Sequence, residues 1–324
     1  AYKKEISVPP LSNPPFNPNG APNIDFTMET EDVTLYEACK KLWNNIVRKK
    51  MYITGGIGST ARGEAFTQAY DLPNDKAYAE TCASVAMVMF AKQMLDLDPD
   101  ASYADIMERE LYNGVMGGMQ LDGKGFFYVN PLETVRGISG EHFGFEHVLT
   151  RRPKWYACAC CPPNVARMLS SVSEYAWHLT QDTLFSNLYI DGTLDLTENF
   201  GGKIILETAY PYNHVISYKF APVKETMYVP LAIRIPAWSK NTKILLNGKP
   251  AEYEMKSGYA YIFGEYRAED IITIELDMEV KRVYTSSRVA ANTGKAALQR
   301  GPLVYCAEGV DNENDVLSLS LKKD

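Results

Sequence analysis

Cysteine residues are concentrated at two places in the sequence where they could hold a metal ion. Cys158, Cys160 and Cys161 fall within four positions in the stretch CACCPPN, and Cys82 follows Glu80 by two residues in YAETCASVA. Thiolates with one carboxylate suit zinc, which prefers four tetrahedral sulfur, nitrogen or oxygen ligands. Disulfide bonds and plain buried thiols are the alternative interpretations, although neighbouring cysteines bond to each other only with strain. We favour a metal site.

The backbone must bend at both segments if these side chains are to converge. Residues two apart on a regular helix point in different directions, so the segment ETC, from Glu80 to Cys82, should be extended or lie at the first turn, with the helix beginning after it. A residue before proline is pushed away from helical backbone, so Cys161 should be extended or in a turn. Pro162 or Pro163 suits the first turn of the following helix. Two thiols would then lie just ahead of a helix N-terminus, where partial positive charge favours thiolate.

The other cysteines and the basic residues near the cluster have simpler interpretations. Cys39 lies on the apolar stripe of an amphipathic segment and Cys306 in an apolar segment, so both are interpreted as small buried hydrophobic residues. Arg151, Arg152 and Lys154 precede the cysteines and could offset the negative charge of three thiolates and a carboxylate. A solvated basic turn is the equally weighted alternative for these three.

Helical periodicity extends from about residue 31 to 181, and strand-like segments follow. The stretches DVTLYEACKKLWNNIVRKK, SVAMVMFAKQML, YADIMERELYNGVMGGM and VARMLSSVSEYAWHLT predict four helices, of which the second is apolar nearly all round. From about 182, short apolar segments between turn residues predict an antiparallel β-sandwich: TLFSNLYIDG, GKIILETAY, HVISYKF, LAIRIPAW, TKILLNG, YAYIFG, DIITIEL and LVYCAEG. The predicted organisation is an irregular arm over 1–30, a helical domain over 31–181 and a β-sandwich over 182–324.

Composition argues against several classes of protein. The 324 residues allow about two domains, and a hydrophobic fraction of 46% is that of a globular chain. A net charge of −7 without a dense basic cluster argues against a nucleic-acid partner. No apolar run reaches the ~20 residues needed to cross a bilayer, so no membrane partner is expected. No secretory leader is recognisable. Free thiols favour a cytoplasmic location, whereas protection by a metal would also allow a periplasmic one.

A glycine-rich stretch offers one competing signal. GIGSTA follows the apolar residues MYIT and fits the G-x-G-x-x-A pattern of a dinucleotide-binding turn. That pattern carries weight only inside an alternating series of strands and helices, which the surrounding sequence lacks. We therefore interpret the glycines as a loop that approaches the predicted site.

Six motifs, taken in order, resemble a known enzyme family. MYITGGIGS, GEAF, YDLPND, YAETCASVAM, FFYVNPLE and CACCPPNVARM are similar to stretches of the bacterial β-L-arabinofuranosidases of glycoside hydrolase family 127 and the related family 146. The resemblance runs from about Leu35 to the final strands near Glu308. It implies a multi-domain fold: part of an (α/α)6 helical barrel followed by an antiparallel β-sandwich. The upstream half of the barrel is expected to be missing from this sequence.

The resemblance also implies roles for individual residues. Zinc is the implied cofactor, and its implied ligands are Glu80, Cys82, Cys160 and Cys161. Cys160 would also be the nucleophile, Glu64 in GEAF would be the general acid/base, and Tyr128 in FFYVN would lie near the sugar. Cys158 matches the cysteine-rich context but would be structural, and we do not assign it as a ligand.

These implied roles make a coherent reaction. A retaining glycosidase needs a nucleophile and an acid on opposite faces of the anomeric carbon, roughly 5–5.5 Å apart when both are carboxylates. Here the sulfur of Cys160 would replace one carboxylate, and zinc would keep it ionised at neutral pH. The expected function is the release of terminal L-arabinofuranose from β-L-arabinofuranosides in an arabinose-containing glycan. The alternative is a non-catalytic carbohydrate-binding or assembly protein with a structural zinc.

Several candidate residues have plainer interpretations. Glu64 could be a surface or helix-capping acid, Glu80 could cap the next helix, and Tyr128 could belong to the core. His142 and His147 in GEHFGFEHV are interpreted as loop residues or residues at the rim of a pocket. The sequence leaves the oligomeric state open, although an accessory β-sandwich often packs on a neighbour, as it would in a homodimer.

Overall fold

The computed structural model describes residues 5–7, 33–313 and 316–322. Of the arm predicted over residues 1–30, the described part is strand β1 (Glu5–Ser7), which pairs in parallel with a strand formed by residues 192–196. The rest of that prediction lies outside the described residues.

Helices are the main regular secondary structure of the described chain before residue 177. Their bounds are α1 (Val33–Lys49), α2 (Thr81–Leu97), α3 (Ala101–Arg109), α4 (Cys161–Ser170), α5 (Ser173–Ala176) and, further on, the short α6 (Thr197–Phe200). α3 continues as a π-helix (Glu110–Val115) and a 3-10 turn (Met116–Gly118). Further 3-10 turns are Ala290–Asn292, Gly309–Asp311 and Val316–Ser318.

The second predicted helix is confirmed, since α2 is buried on several sides, as its apolar composition indicates. The fourth predicted helix is too long. It was predicted over 165–180, but α4 ends at Ser170, the short α5 follows, and the chain is extended from Trp177. The hydroxyls of Ser170 and Ser171 both donate to the carbonyl of Arg167, a local bond of the kind that competes with helix continuation.

Strands dominate the chain after residue 177. They are β2 (Trp177–Leu179), β3 (Leu184–Ser186), β4 (Gly192–Leu196), β5 (Gly202–Thr208), β6 (Val215–Pro222), β7 (Met227–Arg234), β8 (Lys243–Leu246), β9 (Lys249–Pro250), β10 (Glu254–Lys256), β11 (Tyr259–Tyr266), β12 (Ile271–Glu275), β13 (Val280–Val283), β14 (Ala297–Arg300) and β15 (Leu303–Tyr305). Each of the eight predicted segments contains or overlaps a strand. β9 and β10 are exposed along their whole length, so they lack the alternating apolar pattern that reveals a strand.

These strands form three sheets in which most neighbours are antiparallel. The strand orders are β1-β4-β5-β6-β12-β8-β9, β10-β11-β7-β3-β2 and β13-β14-β15. The two larger sheets pack face to face: the ring of Phe220 on β6 stacks on Tyr266 of β11 at 3.9 Å, and Trp177 of β2 meets Tyr218 of β6 edge-on. The structure is therefore mixed α and β with antiparallel sheets. The partial (α/α)6 barrel and the domain boundaries stay predictions.

One continuous hydrophobic core joins the helices to the two larger sheets. Buried residues of α2, α3 and α4 belong to the same core cluster as those of β5, β6, β7 and β11. Because α2 and α4 share this core, their N-terminal ends are held near each other. Among the residues that the structure describes, no helix has both the length and the apolar character needed to cross a lipid bilayer.

Candidate functional site

Glu80 and Cys82 lie at the N-terminal end of α2. Glu80 has extended backbone (φ −61, ψ 137) directly before the helix, and Cys82 is in the first turn, as predicted. The main-chain N–H of Thr81 donates to the carbonyl of Tyr128 at 2.9 Å, and Glu80 forms an isolated bridge with Val129. This pairing fixes the direction in which the Glu80 carboxylate leaves the chain.

Cys160 and Cys161 lie at the N-terminal end of α4. Pro162 and Pro163 occupy its first turn, which confirms the predicted role of the prolines. The extended or turn conformation predicted for Cys161 is wrong, because the helix already begins there and Cys160 before it also has helical backbone (φ −73, ψ −30). The preference against helix before proline is steric and modest, and here Cys161 is almost completely buried against its neighbours.

The four predicted ligands converge, and we call Glu80, Cys82, Cys160 and Cys161 the Cys–Glu cluster. One donor atom from each lies within 4.8 Å of all the others. The sulfurs of Cys82 and Cys161 are 3.5 Å apart and those of Cys160 and Cys161 are 3.8 Å apart, while Cys160 Sγ lies 3.4 Å from Glu80 Oε1. All six cysteines are free thiols. The structure therefore brings together the two segments that the sequence analysis paired.

The spacing of these donors fits a tetrahedral zinc ion. Zinc–sulfur bonds of about 2.3 Å place two sulfurs of a tetrahedron about 3.8 Å apart, and a sulfur and an oxygen about 3.5 Å apart. The sulfur–sulfur distances of 3.5 and 3.8 Å and the sulfur–oxygen distance of 3.4 Å are close to those values. Three soft sulfur donors with one carboxylate oxygen are also a donor set that zinc accepts.

The thiols of the cluster would be ionised at neutral pH only with a cation bound beside them. Burial raises the pKa of the Cys82 thiol to about 12, and burial followed by the hydrogen bond with Cys82 raises the pKa of Cys161. Without a cation these thiols would stay protonated at neutral pH. A bound divalent cation reverses that preference, because a coordinating thiol is deprotonated. The N-terminal ends of α2 and α4 add partial positive charge at the same place.

Glu64, the predicted acid/base, lies on a turn whose geometry is unusual. Its φ is +50, in the left-handed region that residues other than glycine rarely adopt. The carboxylate is exposed, and its Oε1 accepts a hydrogen bond of 2.7 Å from the hydroxyl of Tyr78. The bridge between Thr60 and Ala65 closes the turn. The Glu64 carboxylate is thus held by a partner rather than free on the surface.

Tyr128, predicted to lie near the sugar, is beside the Cys–Glu cluster. Its pKa is raised, first by a hydrogen bond with Cys160 and then by burial. Its ring centroid is 6.1 Å from that of Tyr78 and 5.7 Å from that of Tyr156. The ring is half-buried, so the structure does not support placing Tyr128 in the core.

Two residues at the site were missed by the sequence analysis. Tyr78 donates to Glu64, and Asn164 Nδ2 donates to Cys82 Sγ at 3.1 Å. The signal for Asn164 was available in the motif, because Asn164 comes one helical turn after Cys160 in CCPPN. Tyr78 lies two positions before Glu80 in YAETC, but Ala79 between them has left-handed backbone (φ +38), so the spacing alone does not place Tyr78 at the site.

The two histidines and the basic turn lie outside the Cys–Glu cluster. His147 lies against Tyr78, with 6.2 Å between ring centroids, and its Nε2 is 3.2 Å from the carbonyl of Lys76. His142 is exposed on a neighbouring loop. The guanidinium of Arg152 donates to the carbonyls of Gly117 and Gly118, so it secures that loop rather than the thiols.

The remaining cysteines lie outside the cluster. Cys158 is exposed, which agrees with leaving it out of the ligand set. Cys39 is half-buried and packs against the core. The burial predicted for Cys306 is wrong: it is exposed, because strand β15 ends one residue earlier, at Tyr305, on the edge of the small sheet.

Family models match nearly all of the chain. The catalytic-domain model of β-L-arabinofuranosidase, family 127, matches residues 23–174, the middle-domain model matches 183–278, and the C-terminal-domain model of glycoside hydrolase family 127 matches 280–324. A non-reducing end β-L-arabinofuranosidase from Bifidobacterium longum is 44% identical over 296 residues, which are 90% of this chain and 44% of that protein.

Solved structures of the same family are also similar. A family 127 β-L-arabinofuranosidase from Geobacillus stearothermophilus has a TM-score of 0.83 and 44% identity over 88% of this chain and 45% of its own. A second family 127 β-arabinofuranosidase has a TM-score of 0.80 and 35% identity over 89% of this chain and 46% of its own. The chain spans about half the length of the relatives it matches. From its sequence, its fold and the motifs that form the Cys–Glu cluster, this chain belongs to glycoside hydrolase family 127.

Proposed function

We propose that this chain carries the catalytic residues of a retaining glycoside hydrolase that releases terminal L-arabinofuranose from β-L-arabinofuranosides. The observation that carries the proposal is the convergence of Cys160 with three further metal-type donors, all within 4.8 Å. The membership in family 127 and the relatives' β-L-arabinofuranosidase names supply the substrate class.

The proposed reaction has two steps. In the first, the thiolate of Cys160 attacks the anomeric carbon, and a sulfur–carbon bond forms as the bond from that carbon to the leaving oxygen breaks. Glu64 gives its proton to the leaving oxygen. In the second, Glu64 takes a proton from water as the water oxygen bonds to the anomeric carbon and the sulfur–carbon bond breaks. Two inversions at one carbon retain its configuration.

The proposed zinc ligands are the four members of the Cys–Glu cluster. A bound zinc ion would keep thiols ionised at neutral pH and fix the direction of their sulfurs. Asn164 would support the arrangement by donating to Cys82, and the buried position of Cys161 would exclude water from that side. Tyr128 would lie between the nucleophile and the sugar-binding side.

The hydrogen bond between Tyr78 and Glu64 favours catalysis over the non-catalytic alternative, because a structural zinc site does not need a restrained carboxylate outside its ligand set. Zinc content and hydrolysis of an aryl β-L-arabinofuranoside should be measured on the wild type, the Cys160→Ser variant and the Glu64→Gln variant. We expect one zinc per wild-type chain, turnover by the wild type, and no turnover by Cys160→Ser.

The Glu64→Gln variant should accumulate a covalent sugar adduct on Cys160, visible in the intact mass and located by peptide mapping. Zinc-loaded wild type that neither turns over the glycoside nor forms the adduct would support the alternative of a carbohydrate-binding or assembly protein. The oligomeric state stays open, with a homodimer as one possibility that the sequence analysis named, and the cytoplasmic or periplasmic location stays a prediction.

A further inference from the structure

We propose that Tyr78 is a positioning residue that aims the Glu64 carboxyl group at the oxygen of the leaving group. This inference rests on the proposed function, because it assigns Tyr78 a role in the acid step of that reaction. None of the predicted roles includes Tyr78.

The geometry around Tyr78 supports a positioning role. Its hydroxyl donates to Glu64 Oε1 at 2.7 Å. Among the residues that the structure describes, only Oε1 of this carboxylate is engaged, so Oε2 is available for proton transfer. The tyrosine itself is 8% exposed, whereas the Glu64 residue is exposed. A buried, rigid donor therefore holds one oxygen of an acid that would otherwise rotate freely in solvent.

The main chain on both sides of this pair is also constrained. The N–H of Tyr78 and the N–H of Ala79 both donate to the carbonyl of Gly58 at 3.0 Å. Ala79 has a φ of +38 and Glu64 a φ of +50. Residues other than glycine are strained in this region and persist there only where the surrounding structure determines them. The left-handed backbone of Ala79, next to Glu80, and of Glu64 therefore restricts the position of the proposed acid relative to the Cys–Glu cluster.

Tyr78 also packs against a residue beside the Cys–Glu cluster. Its ring centroid is 6.1 Å from that of Tyr128, and the carbonyl of Tyr128 accepts a hydrogen bond from the N–H of Thr81, the residue between Glu80 and Cys82. Tyr78 therefore contacts both the proposed acid and a residue bonded to the segment that carries two members of the cluster. A shift of either tyrosine would change the relative positions of the two groups that must act on opposite faces of one sugar.

The test compares two substrates that differ in their need for acid. An alkyl β-L-arabinofuranoside needs a proton on its leaving oxygen, whereas a dinitrophenyl β-L-arabinofuranoside does not. For Tyr78→Phe we expect kcat/KM on the alkyl glycoside to fall roughly tenfold to a hundredfold, which is a fraction of the 10²–10⁴-fold that general acids supply. On the dinitrophenyl glycoside we expect kcat/KM to fall less than about threefold. In a Glu64→Gln background, Tyr78→Phe should cause no further loss on the alkyl glycoside.

The control is Tyr266→Phe. Tyr266 is another buried tyrosine, and its hydroxyl donates to the carbonyl of Ile262 on the same strand, β11, far from Glu64 in sequence. It should leave both kcat/KM values unchanged. Zinc content and the circular dichroism spectrum confirm that Tyr78→Phe is folded. Equal losses on the two glycosides would overturn the positioning role while leaving the proposed function standing. Wild type that hydrolyses neither glycoside would overturn both.

Discussion

Arg234 of strand β7 and Glu108 of helix α3 form an ion pair that is enclosed on all sides. Arg234 Nη2 lies 2.5 Å from Glu108 Oε1, and the two side chains are 0% and 2% exposed. Asp105, one turn earlier on α3, binds the same guanidinium at 2.6 Å. This ion pair lies where the helices meet the sheets, so it fixes the position of helix α3 relative to strand β7.

Replacing Arg234 by methionine should strongly destabilise the protein. The substitution leaves the buried Glu108 next to the half-buried Asp105 without their cation, and breaking a buried pair in this way costs about 3–5 kcal/mol. Urea denaturation at pH 7 measures the free energy of unfolding. The matched control is Lys243→Met, whose partner Glu275 is on the surface, with an expected change of less than about 1 kcal/mol. A loss below about 1 kcal/mol for Arg234→Met would contradict the structural role of the pair.

Serine substitution at Cys82 or Cys161 should remove the metal, because a serine hydroxyl is a far weaker zinc ligand than a thiolate. Native mass spectrometry of zinc-loaded protein should show one ion for the wild type and none for either variant. Cys158→Ser is the control: this thiol lies two positions before Cys160 but is exposed and outside the cluster. Loss of zinc from Cys158→Ser would mean that the ligand set has been wrongly chosen.

Asn164→Ala should weaken zinc binding without abolishing it. The Asn164 amide donates to Cys82 Sγ, and groups that orient a ligand typically contribute 10–100-fold to metal affinity. We therefore expect the zinc dissociation constant to rise roughly tenfold to a hundredfold, measured by competition with a chromophoric chelator. Ser170→Ala, on the same helix but bonded to the Arg167 carbonyl, should leave it unchanged. Equal affinities for Asn164→Ala and wild type would refute the assigned contact.

Glu110 should make the protein less stable as the pH rises. It begins the π-helix, is completely buried, and within the described part of the chain its carboxyl oxygens have no hydrogen-bond partner. Burial raises its pKa from 4.5 to about 8. The folded state therefore keeps the proton when the unfolded chain has lost it. The resulting stability is complete below about pH 4.5 and is lost progressively up to about pH 8, at about 1.4 kcal/mol per unit.

The Glu110→Gln variant separates this effect from general pH dependence. Between pH 5.5 and pH 8.5 the wild type should lose about 3 kcal/mol relative to Glu110→Gln in urea denaturation. Glu252→Gln removes an exposed carboxyl and should follow the wild type. Parallel stability curves for wild type and Glu110→Gln would show that the carboxyl does not hold its proton in the folded state.

The Cys–Glu cluster was predictable because cysteines are rare and because the prolines after Cys161 restrict the backbone near them. Two cysteines before two prolines and a cysteine two positions after a glutamate indicate a metal site, and the family resemblance selects Glu80, Cys82, Cys160 and Cys161 as its ligands. The conformation of Cys161 was not predictable, since tertiary packing overrides a modest steric preference. The α-then-β order followed from periodicity alone, whereas the end of α4 depended on hydroxyl-to-carbonyl bonds that leave no periodic signal.

The contact between Tyr78 and Glu64 could not be predicted from the spacing of residues in the sequence. Its partner Glu64 is 14 positions away on a separate turn, and the bond between them depends on the left-handed backbone of Glu64. Glutamate has no preference for that conformation, so no local rule predicts it. Strained backbone at a polar residue is visible only once the coordinates are known.

The donors of the Cys–Glu cluster come from helices whose apolar sides already share one core. Val85 of α2 and Val165 and Met168 of α4 belong to that core, so packing closes the chain between residues 82 and 160 before any ion arrives. Zinc should therefore bind after the chain has folded, unlike in zinc-finger peptides, which fold only when zinc is bound. We expect chelator-treated protein to keep its far-ultraviolet circular dichroism spectrum and to regain full metal content when zinc is returned. A coil-like spectrum after chelation would reverse that order.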